Sequence, residues 1–442
     1  MNYRYRNEDE MKDSGVEWIG KIPKAWGVKP VKYLADKNKY YPIGDGDHGS
    51  IKPEMYQNEG IPYIRVQNLT WGNKLDFEGM VYISEKVNND NKKSILRPKD
   101  ILIAKTGATV GKTAIIPENI LEANTTSSVG KVTVNHKEID YKYVAYYFQS
   151  LPFLTQINIS AYQKSAQPGF NIDDLIDYKV SLPVTIKEQR VISNFLDKKI
   201  AQFDSIISKK EGLIEKLEEA KKSLISEVVT GKVKVVKTSD GYELVERKRE
   251  EMKDSGVEWL GDIPKEWEVK KIKYISVLRS GDNITAERIE EEGIYPVYGG
   301  NGLRGYTNKY THEGNYILIG RQGALCGNIN YAYDKFWASE HAVVVNPILK
   351  VEILWLGELL RSMNLNQYSV SAAQPGLSVG MIENLRVPFV SLDEQKIISQ
   401  FINKKNIEID FVINKTKEQV EKLKEAKQSL ISEAVTGKIE IL

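Results

Sequence analysis

Cysteine occurs once in the 442 residues, as Cys326, and histidine four times. One thiol excludes an internal disulfide, and so few imidazoles beside it exclude a zinc cluster at the usual ligand spacings. Long apolar runs are missing too. Nowhere do about eighteen apolar residues stand together, so no membrane span is expected, and the charged opening Met-Asn-Tyr-Arg-Tyr-Arg-Asn-Glu-Asp-Glu predicts no signal peptide. A cytoplasmic protein is expected. An excess of one charge is also absent: 62 Lys plus Arg face 60 Asp plus Glu, so the chain as a whole lacks the basic footprint usual in nucleic-acid binders. Acidic residues crowd into two segments (Glu215, Glu218, Glu219, Glu421, Glu425), which leaves the remainder more basic than the whole.

Catalytic signatures are lacking as well. Gly107-Ala-Thr-Val-Gly111-Lys112-Thr113 has three residues between its glycines where a phosphate-binding loop has four, and it runs into strand-like Ala-Ile-Ile-Pro instead of a helix. Gly300-Asn-Gly302-Leu-Arg-Gly305 fits the dinucleotide fingerprint by letter, but the polar stretch after it cannot be the apolar helix that motif needs. No Asn-Pro-Pro-aromatic loop of an adenine methyltransferase occurs; the nearest string is Asn346-Pro347-Ile348-Leu349. His341 beside Glu340 carries no nucleophile signature and reads as a core pair. The chain shows no chemistry of its own.

What the chain does have is a duplication. From Glu188 to Thr230, Leu196, Ile200, Phe203, Ile207, Ile214, Leu217, Leu224 and Val228 recur at steps of three and four, interrupted by Lys210 and Lys221. That is the stripe of a coiled-coil-like helix, roughly 60 Å long at 1.5 Å per residue, stopped by Gly231. The stripe returns as Ile402, Ile409, Ile413, Val420, Leu423 and Leu430, and the ending Ser-Leu-Ile-Ser-Glu-x-Val-Thr-Gly-Lys closes both copies, at 223–232 and 429–438. Two such helices can bury both stripes by pairing side by side.

Each half also opens alike, with Met-Lys-Asp-Ser-Gly-Val-Glu-Trp at 11–18 and 252–259, followed by Ile-Pro-Lys-x-Trp. Trp18, Trp26, Trp259 and Trp267 read as packing anchors. Between opening and helix the halves diverge, and only short signals match: Ile61-Pro-Tyr-Ile-Arg-Val-Gln-Asn68 with Tyr295-Pro-Val-Tyr-Gly-Gly-Asn-Gly302, Ile101-Leu-Ile-Ala-Lys-Thr-Gly-Ala108 with Ile317-Leu-Ile-Gly-Arg-Gln-Gly-Ala324, and Gln167-Pro168-Gly169 with Gln374-Pro375-Gly376. Short strands, glycine turns and helices near 141–148 and 353–363 predict an α+β protein. The expected division is a polar arm 1–10, a domain 11–185, a helix 186–232, a linker 233–251, a second domain 252–391 and a second helix 392–438.

These strings, repeated in order, resemble the DNA-specificity subunit of type I restriction-modification systems over essentially the whole chain after its arm. The resemblance implies two mixed α/β target-recognition domains related by a pseudo-two-fold axis, each followed by a long helix, with the helices paired as an antiparallel coiled coil. It implies double-stranded DNA as ligand, each domain reading half of a split, asymmetric site. It also implies two methyltransferase subunits that supply S-adenosylmethionine chemistry and motor-nuclease subunits that use ATP, this chain holding no cofactor and doing no catalysis. Candidate DNA contacts are the matched loop residues: Lys105, Thr106 and Lys112 against Arg321 and Gln322, and Arg65, Gln67 and Asn68 against Asn301 and Arg304. Arginine, lysine, glutamine and asparagine suit phosphate or base-edge contacts, and positions that differ between matched loops suit different bases. Two rivals stand beside this reading. A coiled-coil scaffold without a DNA role leaves divergent middles between near-identical ends unexplained, and a nucleotide- or S-adenosylmethionine-binding enzyme requires tight binding of either ligand by the isolated chain.

Overall fold

Residues 2–162, 169–323, 325–369 and 376–442 are described by a computed structural model. Two compact units divide the chain: Met1–Lys210 with Glu418–Leu442, and Glu211–Lys417. The fold is α+β, and the units repeat one plan.

In the first unit, four antiparallel strands lie in the order Ile43–Asp45, Val129–Val132, Ile101–Ala104, Thr113–Ile115. In the second, Ser276–Ser280, Ala342–Pro347, Tyr316–Gly320 and Ile329–Ala332 take the same order. The runs Ile101–Ala104, 317–319 and 343–345 are buried on both faces, which is why they read as continuous apolar segments. A second sheet in each unit contains one parallel pair, Asn124–Thr125 beside Ile61–Ile64 and Lys335–Ala338 beside Tyr295–Gly299. The helices Tyr141–Gln149 and Ile353–Ser362 pack on the antiparallel sheets.

The long helices run Ile186–Val229 and Leu392–Val435. In the first unit, Lys427 Nζ meets Asp204 at 2.6 Å and Lys210 Nζ donates to Gln419 Oε1 at 2.7 Å. In the second, Lys221 pairs with Asp410 at 2.7 Å and Glu218 with Lys417 at 3.7 Å. Partner numbers fall as helix numbers rise, so the pairing is antiparallel. Lys210 and Lys221, which interrupt the apolar stripe, are thereby given polar partners. The stripe is deeply buried at Leu196, Val228 and Ile402, whereas Ile214 and Leu217 are only half-buried.

The repeated strings meet at the helix ends. Lys232 N–H donates to Glu227 O at 2.9 Å and Lys438 N–H to Glu433 O at 2.9 Å, with Gly231 at φ 77° and Gly437 at φ 70°. This is a left-handed helix cap that glycine adopts without strain. A side chain there would also collide with the opening segment, since a β-carbon on Gly231 would lie 2.6 Å from Pro264 and 2.8 Å from Trp267. Gly437 stands likewise against Pro23 and Trp26. Each indole then donates to the first turn of a long helix, Trp26 Nε1 to Glu188 at 3.0 Å and Trp267 Nε1 to Glu394 at 3.3 Å. Glu394 is held in turn by Arg247 at 3.1 Å.

Of the four tryptophans in the repeated openings, Trp26 and Trp267 are buried anchors, while Trp18 is 36% exposed and Trp259 is half-buried against the second core. Trp26→Ala should accordingly cost about 3–5 kcal/mol, and Trp18→Ala about 1 kcal/mol or less. Thermal unfolding followed by circular dichroism would rank the two.

The arm and the linker are structured. Tyr3–Tyr5 pairs antiparallel with Ile439–Ile441. Val233–Lys237 and Tyr242–Glu246 form a hairpin, with Val235 buried in the second core. Among the described residues, no helix is long and apolar enough to cross a membrane.

Candidate nucleic-acid interface

In both units the matched basic residue directly follows a central strand, and a Gly-Asp step follows the edge strand two places away in the same sheet. Asp47 bridges to Thr126 and Asp282 to Ser339, both parallel. The preceding glycines make these crossings possible: a β-carbon on Gly46 would overlap the Thr125 carbonyl, and one on Gly281 would overlap the Ala338 carbonyl and lie 2.5 Å from the Ser339 oxygen. In the first unit Asp47 then gathers the loop, its Oδ2 accepting from Gly49 N and Ile51 N at 2.9 Å each and its Oδ1 from the Tyr63 hydroxyl. Burial, reinforced by the Asp47 carboxylate, pushes the Tyr63 phenol far above its ordinary pKa, so Tyr63 remains a donor at every working pH.

The matched basic residues share a place but differ in surroundings. Lys105 is buried and ion-paired with Asp45, while Arg321 is half-buried and donates from Nη1 to Ser280 Oγ at 3.2 Å. Lys105 N–H donates to Ser128 O at 2.8 Å and Arg321 N–H to His341 O at 2.9 Å, so Ser128 and His341 occupy one position in the two units. A carboxylate thus neutralises the first loop's cation, and a neutral hydroxyl meets the second's.

The neighbouring candidates sort by exposure. Thr106 is half-buried and bridges to Gly169; Gln322 is exposed and bridges to Gly376. Gln167, Pro168, Ala324, Gln374 and Pro375 lie outside the described residues. Lys112 is half-buried, its backbone N–H donating to Thr109 O at 3.1 Å, and Thr113–Ile115 continues as a strand, as the sequence predicts. Gly107 and Gly111 are left-handed, as are Gly323 and Gly327. A side chain at Gly111 would meet Leu154 at 2.8 Å and one at Gly327 the Asn366 backbone at 2.6 Å. These glycines therefore serve loop closure.

Arg65 donates from Nη2 to Gly79 O at 2.7 Å and lies 5.7 Å from the centre of the Tyr56 ring. Gln67 is exposed. Asn68 requires correction as a base reader. It is fully buried, its Oδ1 accepts from Arg65 N–H at 3.0 Å and its Nδ2 donates to Asp76 O at 3.0 Å, so both hydrogen-bonding ends are spent inside the loop. Lys105, 6% exposed and paired with Asp45, is corrected in the same sense. Asn301 is exposed at the turn between Tyr295–Gly299 and Gly302–Thr307, and Arg304 is exposed on the second of these strands.

The two candidate groups of each half come together. In the first unit Thr70 and Thr113 exchange backbone hydrogen bonds at 3.3 and 2.9 Å, laying the segment after Asn68 along the loop of Lys112. In the second, a β-carbon on Gly300 would lie 3.1 Å from His341 O and 3.5 Å from Gln322 O. Trp71, 53% exposed and packed over Gly111, and Phe77, 55% exposed, add an aromatic component that matching the halves cannot find, because the second half has no counterpart to that insertion. Ser128 was missed, and His341, read from the sequence as half of a core pair, is 44% exposed; both join the site through backbone pairing between strands remote in sequence.

The family profile described as "Type I restriction modification DNA specificity domain" matches residues 34–219 and 264–422. The type I restriction enzyme EcoprrI specificity subunit of Escherichia coli is 45% identical over 139 residues, which are 30% of this chain and 35% of that protein. The match therefore spans about a third of that relative's length. The type I restriction enzyme MjaVIII specificity subunit of Methanocaldococcus jannaschii is 24% identical over 457 aligned residues, 95% of this chain and 94% of that one. A solved chain, from a study of complex assembly and conformational transition of the type I R-M system, superposes with a TM-score of 0.70 at 13% identity, covering 94% of this chain and 99% of that one. That likeness is one of fold.

Proposed function

This chain belongs to the family of type I restriction-modification DNA specificity domains, and from that membership we propose that it reads a split, asymmetric site on double-stranded DNA, one half with each recognition domain. In this reading the paired helices set the spacing between the half-sites and dock two methyltransferase subunits. Motor-nuclease subunits complete the cytoplasmic complex. S-adenosylmethionine and ATP belong to those partners, and this chain is not a catalyst.

The observation that carries the reading is a constant frame holding unlike loops. The two units share strand order, the Gly-Asp crossing and a basic residue at one loop position, yet Thr106 and Ser128 stand where Gln322 and His341 stand in the other. A frame that must dock the same partner twice is kept, while surfaces that read different bases differ. Gln67, Thr106, Lys112, Asn301, Arg304, Arg321 and Gln322 remain the candidate contacts, with Arg65 bracing the first loop.

Two results are expected. The chain alone should bind duplex DNA weakly and gain affinity with its methyltransferase subunits, because a chain of net charge +2 neutralises few phosphates unaided. Tight, site-specific binding by the chain alone, measured by fluorescence anisotropy across a salt series, would refute this. Gln322→Ala in the assembled complex should cost about 1–3 kcal/mol at one position of one half-site if a bidentate base contact is lost. A uniform loss on all sequences would instead make Gln322 a backbone contact.

A further inference from the structure

The exposed Gln322 is tied to a histidine that is itself tied to a carboxylate. His341 Nδ1 lies 3.1 Å from Gln322 Oε1, and His341 Nε2 lies 3.2 Å from Glu340 Oε1. Glu340 Oε2 is buried and has no hydrogen-bond partner among the described residues, so its ring-facing oxygen is the one that is satisfied. The imidazole is 44% exposed and the Glu340 side chain 34%, so protons exchange freely with water.

Hydrogen-bond polarity then leaves two arrangements. A carboxylate accepts, so Nε2 of His341 carries a proton. If Nδ1 is protonated as well, it donates to Gln322 Oε1, and the amide turns its NH2 outward. If Nδ1 is bare, it is an acceptor and cannot face an amide oxygen. The amide then rotates by half a turn, gives one N–H to Nδ1, and turns its oxygen outward. The outward group is thus a pair of donors in one state and an acceptor in the other.

We propose that His341 is a positioning residue for base recognition, setting by its protonation which edge Gln322 shows to DNA. The inference rests on the reading of Gln322 as a base contact. Donors outward favour guanine N7 and O6 or thymine O4; an oxygen outward favours the amino groups of adenine or cytosine. Histidine is the side chain whose charge changes between about pH 5 and 8, so the preferred base at that one position is pH-dependent. The charged group in contact with the imidazole is Glu340, on its own turn, at Nε2; on the neighbouring elements stand Arg321, whose N–H holds His341 O, Arg304, beside Gly299, and Asp282, bridged to Ser339. In the first unit Ser128 and Thr106 occupy the corresponding positions, and neither titrates, so the dependence is confined to one half-site.

The test uses the full chain assembled with its methyltransferase subunits and a random duplex library, with bound sequences selected and counted at pH 6.0 and 8.0. One position of one half-site should change its base preference by about tenfold or more between the two pH values, the other half-site serving as internal control. His341→Lys, which only donates, should fix the low-pH preference at both. The proposal is overturned if the profiles at the two pH values coincide, or if His341→Lys and His341→Ala both leave the native profile and its pH dependence unchanged. Gln322→Ala separates the two levels. If it changes no position, the assignment of Gln322 as a reader fails; if it changes one that His341 variants do not, only the role of His341 fails.

Discussion

A fragment ending at Val236 should not remain a monomer. The first unit's core is completed from outside that fragment, by Leu430, Ile431, Ala434 and Val435 of the second long helix. Ser181 Oγ and Tyr143 Oη both donate to Val435 O at 2.8 Å, and Leu151 N–H donates to Ser432 Oγ at 3.0 Å. Cutting at Val236 removes these groups and bares the pocket that held them. Leu430, Ile431 and Val435 are side chains worth about 1.5–3 kcal/mol each when buried, and buried donors are left to find new acceptors. The fragment nevertheless carries replacements. Leu224, Ile225, Ser226, Val228 and Val229 repeat Leu430, Ile431, Ser432, Ala434 and Val435, and Gly231 repeats the Gly437 cap that meets Pro23 and Trp26. A second copy can insert its helix end into the first and receive the same in return, an isologous exchange. Val233–Val236 of the partner copy then stands where Ile439–Ile441 pairs with Tyr3–Tyr5.

Sedimentation at micromolar concentration should therefore give twice the fragment mass, and the fragment with methyltransferase subunits should modify a symmetric site, two inverted copies of the first half-site. A stable folded monomer would sink the helix exchange. Methylation of the original asymmetric site by the fragment would sink the assignment of one half-site to each domain.

How much of this was legible depends on the reach of each interaction. The helices were readable because their determinants are local: an apolar step of three and four, an unbroken run of helix formers, and glycine at the stop. The openings were readable as scaffold because they repeat, although nothing in the letters said that Pro23 and Trp26 close on Gly437, more than four hundred residues away. The strands within the arm and linker are not announced by composition, since Val-Lys-Val-Val-Lys at 233–237 is short and charged and buries only Val235 deeply. The reading loops were the least legible. Lys105 and Arg321 match in sequence, but what separates them is Asp45 opposite one and Ser280 opposite the other, and the segments carrying these share only a Gly-Asp step. Asn68 looked like an edge for bases because asparagine is a good reader; its burial is decided by Asp76 and the Arg65 backbone.

That short Gly-Asp step should give the second large effect. Gly46→Ala places a methyl group inside the Thr125 carbonyl, and Gly281→Ala places one inside the Ala338 carbonyl and 2.5 Å from the Ser339 oxygen. Both obstacles are backbone held by neighbouring strands, so relief requires moving a strand, at a cost of about 3 kcal/mol or more. The displacement falls on the loops that carry the candidate contacts: Ser127 N–H bonds to Asp47 O at 2.8 Å in the first unit, and Asp282 N–H to Ala338 O at 2.9 Å in the second. The long helices and their caps lie in other parts of each core, so assembly with the methyltransferase subunits should persist. Each single variant should then lose discrimination at its own half-site alone, with affinity for the full site falling about a hundredfold or more, while the other half-site keeps its base profile. Binding selection on a random duplex library, beside native mass spectrometry of the complex, would read both properties. Loss at both half-sites from either glycine would mean that the crossing supports assembly instead of reading, and unchanged profiles would remove the Gly-Asp step from the recognition surface.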